Sequence, residues 1–244
     1  MKTDLTIDAG TRGSGDAGTP ESLSFVVNES SWESDLRAEL GINNLLLMYV
    51  GNLETYQGID LLLESFALTL QQHNQLDLVI IGGETSDIHK YQNLARHLGI
   101  WDNVHFLGAK PVEHLAMYLS QADMLVSPRT QGKNTPMKLY SYLDSGKALL
   151  ATDLPTHTQV VDSQVAMLAE PNAEAFSEGM LRLAADQNLR LRLGCAGKHL
   201  IEQKHTYTAF SKKLTGLYDW LESELVENTS SGVRGFRSLE VSGV

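Results

Sequence analysis

The sequence predicts an α/β fold in which helices cover both faces of a doubly wound parallel sheet. Two observations carry this prediction. Six apolar runs of strand length are continuous rather than alternating, which is typical of strands buried on both faces. Helical segments separate these runs along the chain, and right-handed crossovers leave few other topologies for such an alternation. We therefore expect a Rossmann-like sheet in a three-layer α/β/α arrangement.

The strand-like runs begin at residue 45 and recur throughout the central part of the chain. They are LLLMYVG (45–51), LDLVIIGG (76–83), VHFLG (104–108), DMLVSP (123–128), ALLAT (148–152) and VAMLA (165–169). Between the first two, a segment places Leu61, Leu62, Phe66 and Leu70 on one helical face.

The composition divides the chain into three parts. Residues 1–23 are rich in Gly, Ser, Thr and Asp without periodicity, and we expect a disordered arm. Residues 24–226 carry the regular pattern of one Rossmann-like domain. Residues 227–244 resemble the first segment, and we expect a disordered tail.

The net charge of −11 argues against a nucleic-acid partner, because few cations are available to neutralise phosphates over a wide surface. The single cysteine, Cys195, suits a reducing compartment, and its apolar helical context predicts a small core residue. The longest apolar runs are too short for a transmembrane segment, and the N-terminus lacks the apolar core of a signal peptide. We therefore expect a cytoplasmic protein.

In a doubly wound sheet, ligands bind beyond the carboxyl ends of the strands, which makes the loops after the strands the candidate site. Glycines open or close several of these loops and allow close backbone approach to a ligand: Gly51, Gly58, Gly83 and Gly108. A plain turn also explains Gly83. The loop at 51–58 is not the GxGxxG fingerprint, so nothing supports a hydride-transfer cofactor.

The stretch QGKNTPMKLYSYLDSG combines a helix start with positive charge. Thr135 followed by Pro136 predicts a helix that begins at the proline and runs to Ser145. The helix N-terminus points to the ligand edge, where its free N–H groups and dipole favour an anion.

Gly132, Arg129 and Lys133 lie just before this helix and complete a predicted phosphate or diphosphate cradle. The alternative is a solvated basic loop before an ordinary helix. Lys138 lies in the first turn, where a cation opposes the dipole, which favours a functional or ion-pair role. Ser141 is equally compatible with packing and with ligand contact.

No metal-ligand spacing or nucleophilic triad is visible among the histidines, so we predict no metal and assign no catalytic residue. His105 is expected to be a satisfied core histidine. His157 follows a strand on the ligand edge and is the one histidine worth testing.

The ordered motifs YVGNLETYQGIDLLLESF, LVIIGG, NVHFLG, YLSQADMLVSP and TPMKLYSYLDSGKALLATDLP together resemble the C-terminal half of retaining GT-B glycosyltransferases of family 4. The resemblance covers residues 36–225. It implies a nucleotide-diphosphate-sugar donor as substrate, with no separate cofactor. It also implies that Gly108 to Lys110 lie near the base. The segment 132–137, which includes Asn134 and Thr135, is implied to lie near the donor phosphates or sugar.

Four positions depart from the family pattern. Lys133 and Ser141 stand where the family has two glutamates, which position the donor sugar and grip the ribose. Asn52 and Gln57 stand where the family has a basic pair that stabilises the leaving diphosphate. We hypothesise that Arg129, Lys133 and Lys138 replace the lost positive charge from the other side of the pocket.

The resemblance implies a nucleotide-sugar-dependent glycosyltransferase that needs a separate N-terminal acceptor half, since family members work with two such domains. The departures favour a second class, a non-catalytic nucleotide-sugar-binding or scaffold module. An uncovered cleft face predicts an exposed apolar patch and self-association.

Overall fold

The computed structural model describes residues 35–230, with side chains over 35–225. The expected N-terminal arm, residues 24–34 of the expected domain, and residues 231–244 of the expected tail lie outside the described residues.

Six parallel strands form one sheet in the order β3-β2-β1-β4-β5-β6, which confirms the Rossmann-like prediction. The central strand β1 pairs with β2 on one side and with β4 on the other, so that Leu47 aligns with both Leu78 and Met124. The strands are β1 (Leu45–Val50), β2 (Leu76–Ile81), β3 (Val104–Gly108), β4 (Met124–Ser127), β5 (Ala148–Thr152) and β6 (Met167–Ala169).

Helices connect the strands and continue beyond them. Asp35, Asn172 and Asp186 cap the first, seventh and eighth helices by accepting bonds from backbone N–H groups in the first turn. The helices are α1 (Leu36–Leu40), α2 (Ile59–Gln72), α3 (Thr85–His97), α4 (Leu115–Gln121), α5 (Lys138–Asp144), α6 (Pro155–Thr158), α7 (Ala173–Ala185), α8 (Gln187–Lys204) and α9 (Tyr207–Ser230).

The sheet separates two apolar cores, because successive side chains of a strand point to opposite faces. Leu47 and Tyr49 of β1 pack with residues of α2, α3 and α7 on one face. Leu46 and Met48 pack with residues of α1, α4 and α5 on the other. These two cores confirm the three-layer arrangement.

Three local predictions differ from the structure. Helix α5 begins at Lys138 rather than at Pro136, because the chain enters through a tighter turn in which Leu139 N–H donates to Pro136 O. Thr135 makes no cap to this helix, whose preceding residue, Met137, has no side-chain cap bond. Helix α9 continues to Ser230, past the expected domain end at 226.

Cys195 lies on the exposed side of α8 and is not a core residue. The segment around Cys195 is helical, as its spacing predicts. The buried face of α8, however, consists of Leu193, Gly194, Gly197 and Ile201. None of the helices in the described part of the chain is both long and apolar enough to cross a bilayer.

Candidate active site

The candidate site lies where the strand order reverses, between β1 and β4. The chain leaves β1 toward α2 on one face of the sheet and leaves β4 toward α5 on the other. The loops that follow these two neighbouring strands, 51–58 and 128–137, therefore border the crevice in which doubly wound folds bind ligands.

The two loops are in direct contact through Gly58. Its backbone is left-handed, with φ of 74°, and a Cβ at this position would overlap the carbonyl oxygen of Pro128. Thr130 N–H donates to Tyr56 O at 3.0 Å and holds the loops together. Gly58 is therefore explained by loop packing rather than by close approach to a ligand.

The side chain of Lys138 reaches from α5 into the loop after β1. Its Nζ donates to Gln57 Oε1 at 3.0 Å and lies 3.9 Å from the centroid of the Tyr49 ring. A Cβ at Gly51 would lie only 2.9 Å from Nζ, so the glycine makes room for the ammonium group. The structure thus brings Gly51, Gln57 and Lys138 together.

The ammonium group of Lys138 is poorly compensated. Burial, followed by repulsion from Arg129, lowers the pKa of Lys138 to about 7. Over residues 35–225, the ion pairs join other groups, and no carboxylate pairs with Lys138. Such a group gains its charge most readily when an anion enters the crevice.

Arg129 turns back on its own loop. Its Nε donates to Gln131 O at 2.7 Å, its Nη1 donates to Asn134 O at 3.2 Å, and its guanidinium lies 5.0 Å from the centroid of the Tyr56 ring. The guanidinium also occupies the space that a Cβ at Gly132 would need. Arg129 therefore organises the loop and contributes long-range positive charge, while Lys133 and Asn134 are exposed at its tip.

A buried network fixes the end of β4. His157 is fully buried, with Nε2 2.8 Å from Ser127 Oγ and Nδ1 3.0 Å from Thr152 O. Because a carbonyl only accepts, Nδ1 carries the proton and Nε2 accepts from Ser127. Burial lowers the pKa of His157 to about 4. Thr152 Oγ1 donates to Arg129 O at 2.6 Å, which extends the network to the loop.

His157 is therefore an anchor of the loop after β4 and is closed to a ligand. The sequence placed it on the correct edge but carried no signal for its partners Ser127 and Thr152. His105 has the expected structural role, since its side chain is partly buried and its Nε2 lies 3.1 Å from Asp77 Oδ1.

Tyr142 binds α5 to the end of β1. Its hydroxyl accepts from Val50 N–H at 2.7 Å and donates to Val50 O at 3.2 Å, and burial raises its pKa. Tyr142 lies one turn after Lys138 on the same helical face. Tyr142 therefore holds α5, the helix that carries Lys138, against the end of β1.

The other candidate residues lie around this centre. The side chain of Leu53 fills the space beside Gly83, and Gly108 O accepts from Gly82 N–H at 2.7 Å. Ser141 is partly exposed on α5, as is Thr135 before it. Asn52 and Lys110 are exposed. Over residues 35–225, no group of three or more His, Cys, Asp or Glu side chains could hold a metal ion.

The strand order, with its reversal between β1 and β4, defines a doubly wound α/β domain. The family model for glycosyl transferases group 1 matches residues 33–200. The chain belongs to this family, which confirms the predicted resemblance.

The similarity extends to curated and solved proteins. The D-inositol 3-phosphate glycosyltransferase of Corynebacterium aurimucosum is 26% identical over 193 residues, which are 75% of this chain and 45% of that protein. HepE of Anabaena, solved in complex with UDP, superposes with a TM-score of 0.68 at 17% identity, over 78% of this chain and 52% of HepE.

A third similar structure is the C-terminal domain of LpcC, a glycosyl transferase group 1 family protein from Francisella tularensis. It superposes with a TM-score of 0.62 at 17% identity, over 70% of this chain and 91% of that domain. The chain spans about half the length of the curated relatives it matches and has the fold of a GT-B C-terminal domain.

Proposed function

We propose that the chain is the donor-binding half of a retaining, nucleotide-sugar-dependent glycosyltransferase. The observation that carries the proposal is the position of Lys138, whose ammonium group meets Gln57 and Gly51 without a carboxylate partner. The UDP complex of HepE, a protein of the same fold, supports a nucleotide ligand.

Lys138 would supply positive charge where the first loop has none. Asn52 and Gln57 are neutral, whereas the resembling enzymes place a basic pair at these positions. Lys138 brings a cation to Gln57 from α5 instead, 81 residues away in sequence. In the proposed reaction, the bond from the anomeric carbon to the diphosphate breaks, a bond to the acceptor oxygen forms, and the proton of the acceptor hydroxyl passes to the departing diphosphate. Lys138 stabilises the negative charge that develops on the departing diphosphate.

Partial burial strengthens this interaction, because an enclosed cation acts through a lower dielectric than water. Arg129 adds positive potential from the second loop without leaving its carbonyl partners. Transfer also requires an acceptor site that closes over the donor and excludes water. A second α/β half, in the same or another polypeptide, would supply this site.

A second candidate function is a non-catalytic nucleotide-sugar-binding or scaffold module. Lys133 and Ser141 favour it, because they occupy the positions of the two family glutamates. Lys133 is exposed and reverses the charge of the first glutamate. Ser141 is partly exposed, and its hydroxyl is too short to repeat the contact of a glutamate with a ribose.

Calorimetric titration with UDP, GDP and their sugar conjugates tests the shared donor-binding claim. We expect one nucleotide to bind the wild-type chain. Lys138→Met should lower the affinity for this nucleotide by at least ~10-fold, whereas Lys147→Met should leave the affinity unchanged. Lys147 is a matched control because it lies beyond the opposite end of α5. If no nucleotide binds the wild-type chain, both functions are wrong.

Turnover separates the two functions. Nucleotide released from a sugar donor is measured with the chain alone and with candidate acceptor halves. Release that depends on Lys138 supports the glycosyltransferase, whereas tight binding without release under every combination supports the scaffold module.

A further inference from the structure

Tyr49 lies against the ammonium group of Lys138. It is near the end of β1, and its side chain is fully buried. Nζ of Lys138 lies over its ring, 3.9 Å from the centroid, well within the ~6 Å at which an aromatic face attracts a cation. Tyr49 is therefore the aromatic contact of the cation on which the candidate site depends.

The hydroxyl of Tyr49 contacts the loop after β1. It donates to Asn52 O at 2.7 Å, because a carbonyl oxygen only accepts. A Cβ at Gly51 would lie 3.1 Å from the same hydroxyl oxygen, so the loop passes close to the phenol. One side chain thus contacts both the loop at 51–58 and the cation that α5 brings to this loop.

The ring of Tyr49 is neutral and held in place. Its side chain is part of the apolar core that includes residues of α2, α3 and α7. Burial, followed by the neighbouring side chain of Tyr142, raises the pKa of Tyr49 above its usual range. Because the phenol keeps its proton, it attracts the ammonium group through the negative face of the ring rather than as a phenolate.

Carboxylates do not share this role. In the part of the chain described with side chains, no ion pair includes Lys138, and its hydrogen-bond partner Gln57 is neutral. The acids of the loop after β1 and of the first turn of α2, Glu54 and Asp60, accept hydrogen bonds from other side chains.

The other titratable groups around the pair do not compensate the charge either. Arg129 repels Lys138. The remaining groups are neutral near pH 7, since they are tyrosines and a histidine whose pKa burial lowers to about 4. They are Tyr56, Tyr91, Tyr142 and His157. Among the described side chains, the ring face of Tyr49 and the amide oxygen of Gln57 therefore favour the charged form of Lys138.

We propose that Tyr49 is a positioning residue of the candidate donor site: its ring face holds the ammonium group of Lys138 in the charged form, and its hydroxyl holds the loop after β1 beside this group. The proposal rests on the proposed function for the identity of the anion, a donor diphosphate. The contacts that carry it lie within the chain, so they can be tested without a ligand. A tyrosine that only fills the core would have no effect on the ionisation of Lys138.

NMR titration of the full chain with 13Cε-labelled lysines measures the pKa of Lys138, and Lys138→Met identifies its signal. Tyr49→Phe keeps the ring face and should leave this pKa within ~0.5 pH unit of the wild type. Pentafluorophenylalanine at position 49 keeps the shape of the ring but reverses the charge of its face. It should lower the pKa of Lys138 by at least ~1 pH unit relative to Tyr49→Phe.

Pentafluorophenylalanine at position 66 is the matched control. Phe66 is fully buried in the same apolar core as Tyr49, so its fluorination perturbs the core but should not change the pKa of Lys138. A single cooperative thermal transition confirms that each variant is folded. 4-Fluorophenylalanine at position 49 perturbs packing less and should lower the pKa by a smaller amount. A pKa that stays unchanged or rises along this fluorinated series overturns the proposal.

Calorimetric titration with the UDP or GDP sugar that the wild-type chain binds tests the consequence for the donor. At pH ~7, pentafluorophenylalanine at position 49 should weaken binding about fivefold relative to Tyr49→Phe, and the difference should nearly vanish by pH ~5.5, where Lys138 is charged in both. Equal affinities at pH ~7 overturn the positioning role. A wild-type chain that binds no nucleotide sugar contradicts the proposed function, whereas the pKa series still decides whether Tyr49 holds the charge of Lys138.

Discussion

Nζ of Lys138, at the start of α5, lies 3.0 Å from Oε1 of Gln57 in the loop after β1. This contact joins α5 to the loop after β1 and places a cation next to Gly51. The ammonium group is enclosed without a carboxylate partner, so the protein holds a charge that its own structure stabilises poorly.

Lys138→Met should stabilise the fold near pH 6. The folded pKa of Lys138 is lowered to about 7, so the charged form costs stability below pH 7. As pH rises from about 7 to the unfolded pKa of ~10.4, the unfolded chain holds the proton and the folded chain does not, and the wild type gains stability. We expect a gain of roughly 1–3 kcal/mol for the variant at pH 6, after the loss of a partner for Gln57.

Urea unfolding of wild type and Lys138→Met at several pH values measures this gain. The difference between the two proteins should shrink toward high pH. A variant that is less stable than the wild type at pH 6 would contradict the enclosed, uncompensated charge. Functional groups often reduce the stability of a fold, so replacing one can stabilise the protein while it weakens ligand binding. We expect Lys138→Met to show both effects.

Donor affinity should fall as pH rises through 7. In the proposed donor site, an anionic diphosphate would bind the charged form of Lys138, and the free protein loses this form above its pKa of about 7. We expect the association constant of a nucleotide sugar to fall by roughly five- to tenfold over about one pH unit above 7. Nucleotide sugars are the appropriate probe, because their diphosphate does not titrate near neutral pH.

The same titration with Lys138→Met is the control. Its weaker binding should be nearly independent of pH between about 6 and 9. An equal pH dependence in both proteins would assign the titrating group elsewhere.

Gly58→Ala should be strongly destabilising. The new Cβ would meet Pro128 O in a backbone conformation that L residues rarely adopt, so we expect a loss of at least ~3 kcal/mol in the free energy of unfolding. Gly41→Ala is a matched control, because Gly41 has φ of 67° but nothing within 4 Å of the added carbon. It should cost only about 1–2 kcal/mol.

Denaturant unfolding of both glycine variants provides the comparison. Both variants pay the cost of a left-handed backbone, so the difference between their losses of unfolding free energy measures the clash between the two crevice loops. Equal losses would mean that the loops separate easily.

Mild acid should destabilise the protein partly through His157. Its folded pKa, about 4, is below its unfolded value of ~6.5, so the unfolded chain binds the proton first as pH falls. The contribution of His157 to stability is full above ~6.5 and declines as pH falls toward 4. Between about pH 7 and 5, the wild type should lose roughly 2 kcal/mol more than His157→Gln.

His199→Gln is the matched control, because His199 is exposed on α8 with Gln203 as its hydrogen-bond partner. Its unfolding free energy should follow the wild type at both pH values. A His157 variant that also follows the wild type would show that the buried histidine accepts a proton without cost.

Local patterns in the sequence predicted much of the fold. Continuous apolar runs predicted each of the six strands, and β3 and β5 have the expected bounds. The start of α5 was wrong by two residues, because Thr135 and Pro136 carry a helix-start signal that the tighter turn overrides. Cys195 was assigned to the core because periodicity identifies a helix more reliably than its buried side.

For the candidate site, the sequence determined which loops border the crevice, because the carboxyl ends of parallel strands meet at one edge. It also determined that Asn52 and Gln57 provide no charge to the first loop. The tertiary structure decided which cation reaches Gln57, and it selected Lys138 while Arg129 turned to its own loop. The tertiary structure also buried the side chain of His157, where a ligand does not reach it. These outcomes depend on how α5 and the two loops pack across the sheet, and spacing along the chain carries no information about contacts between segments 81 residues apart.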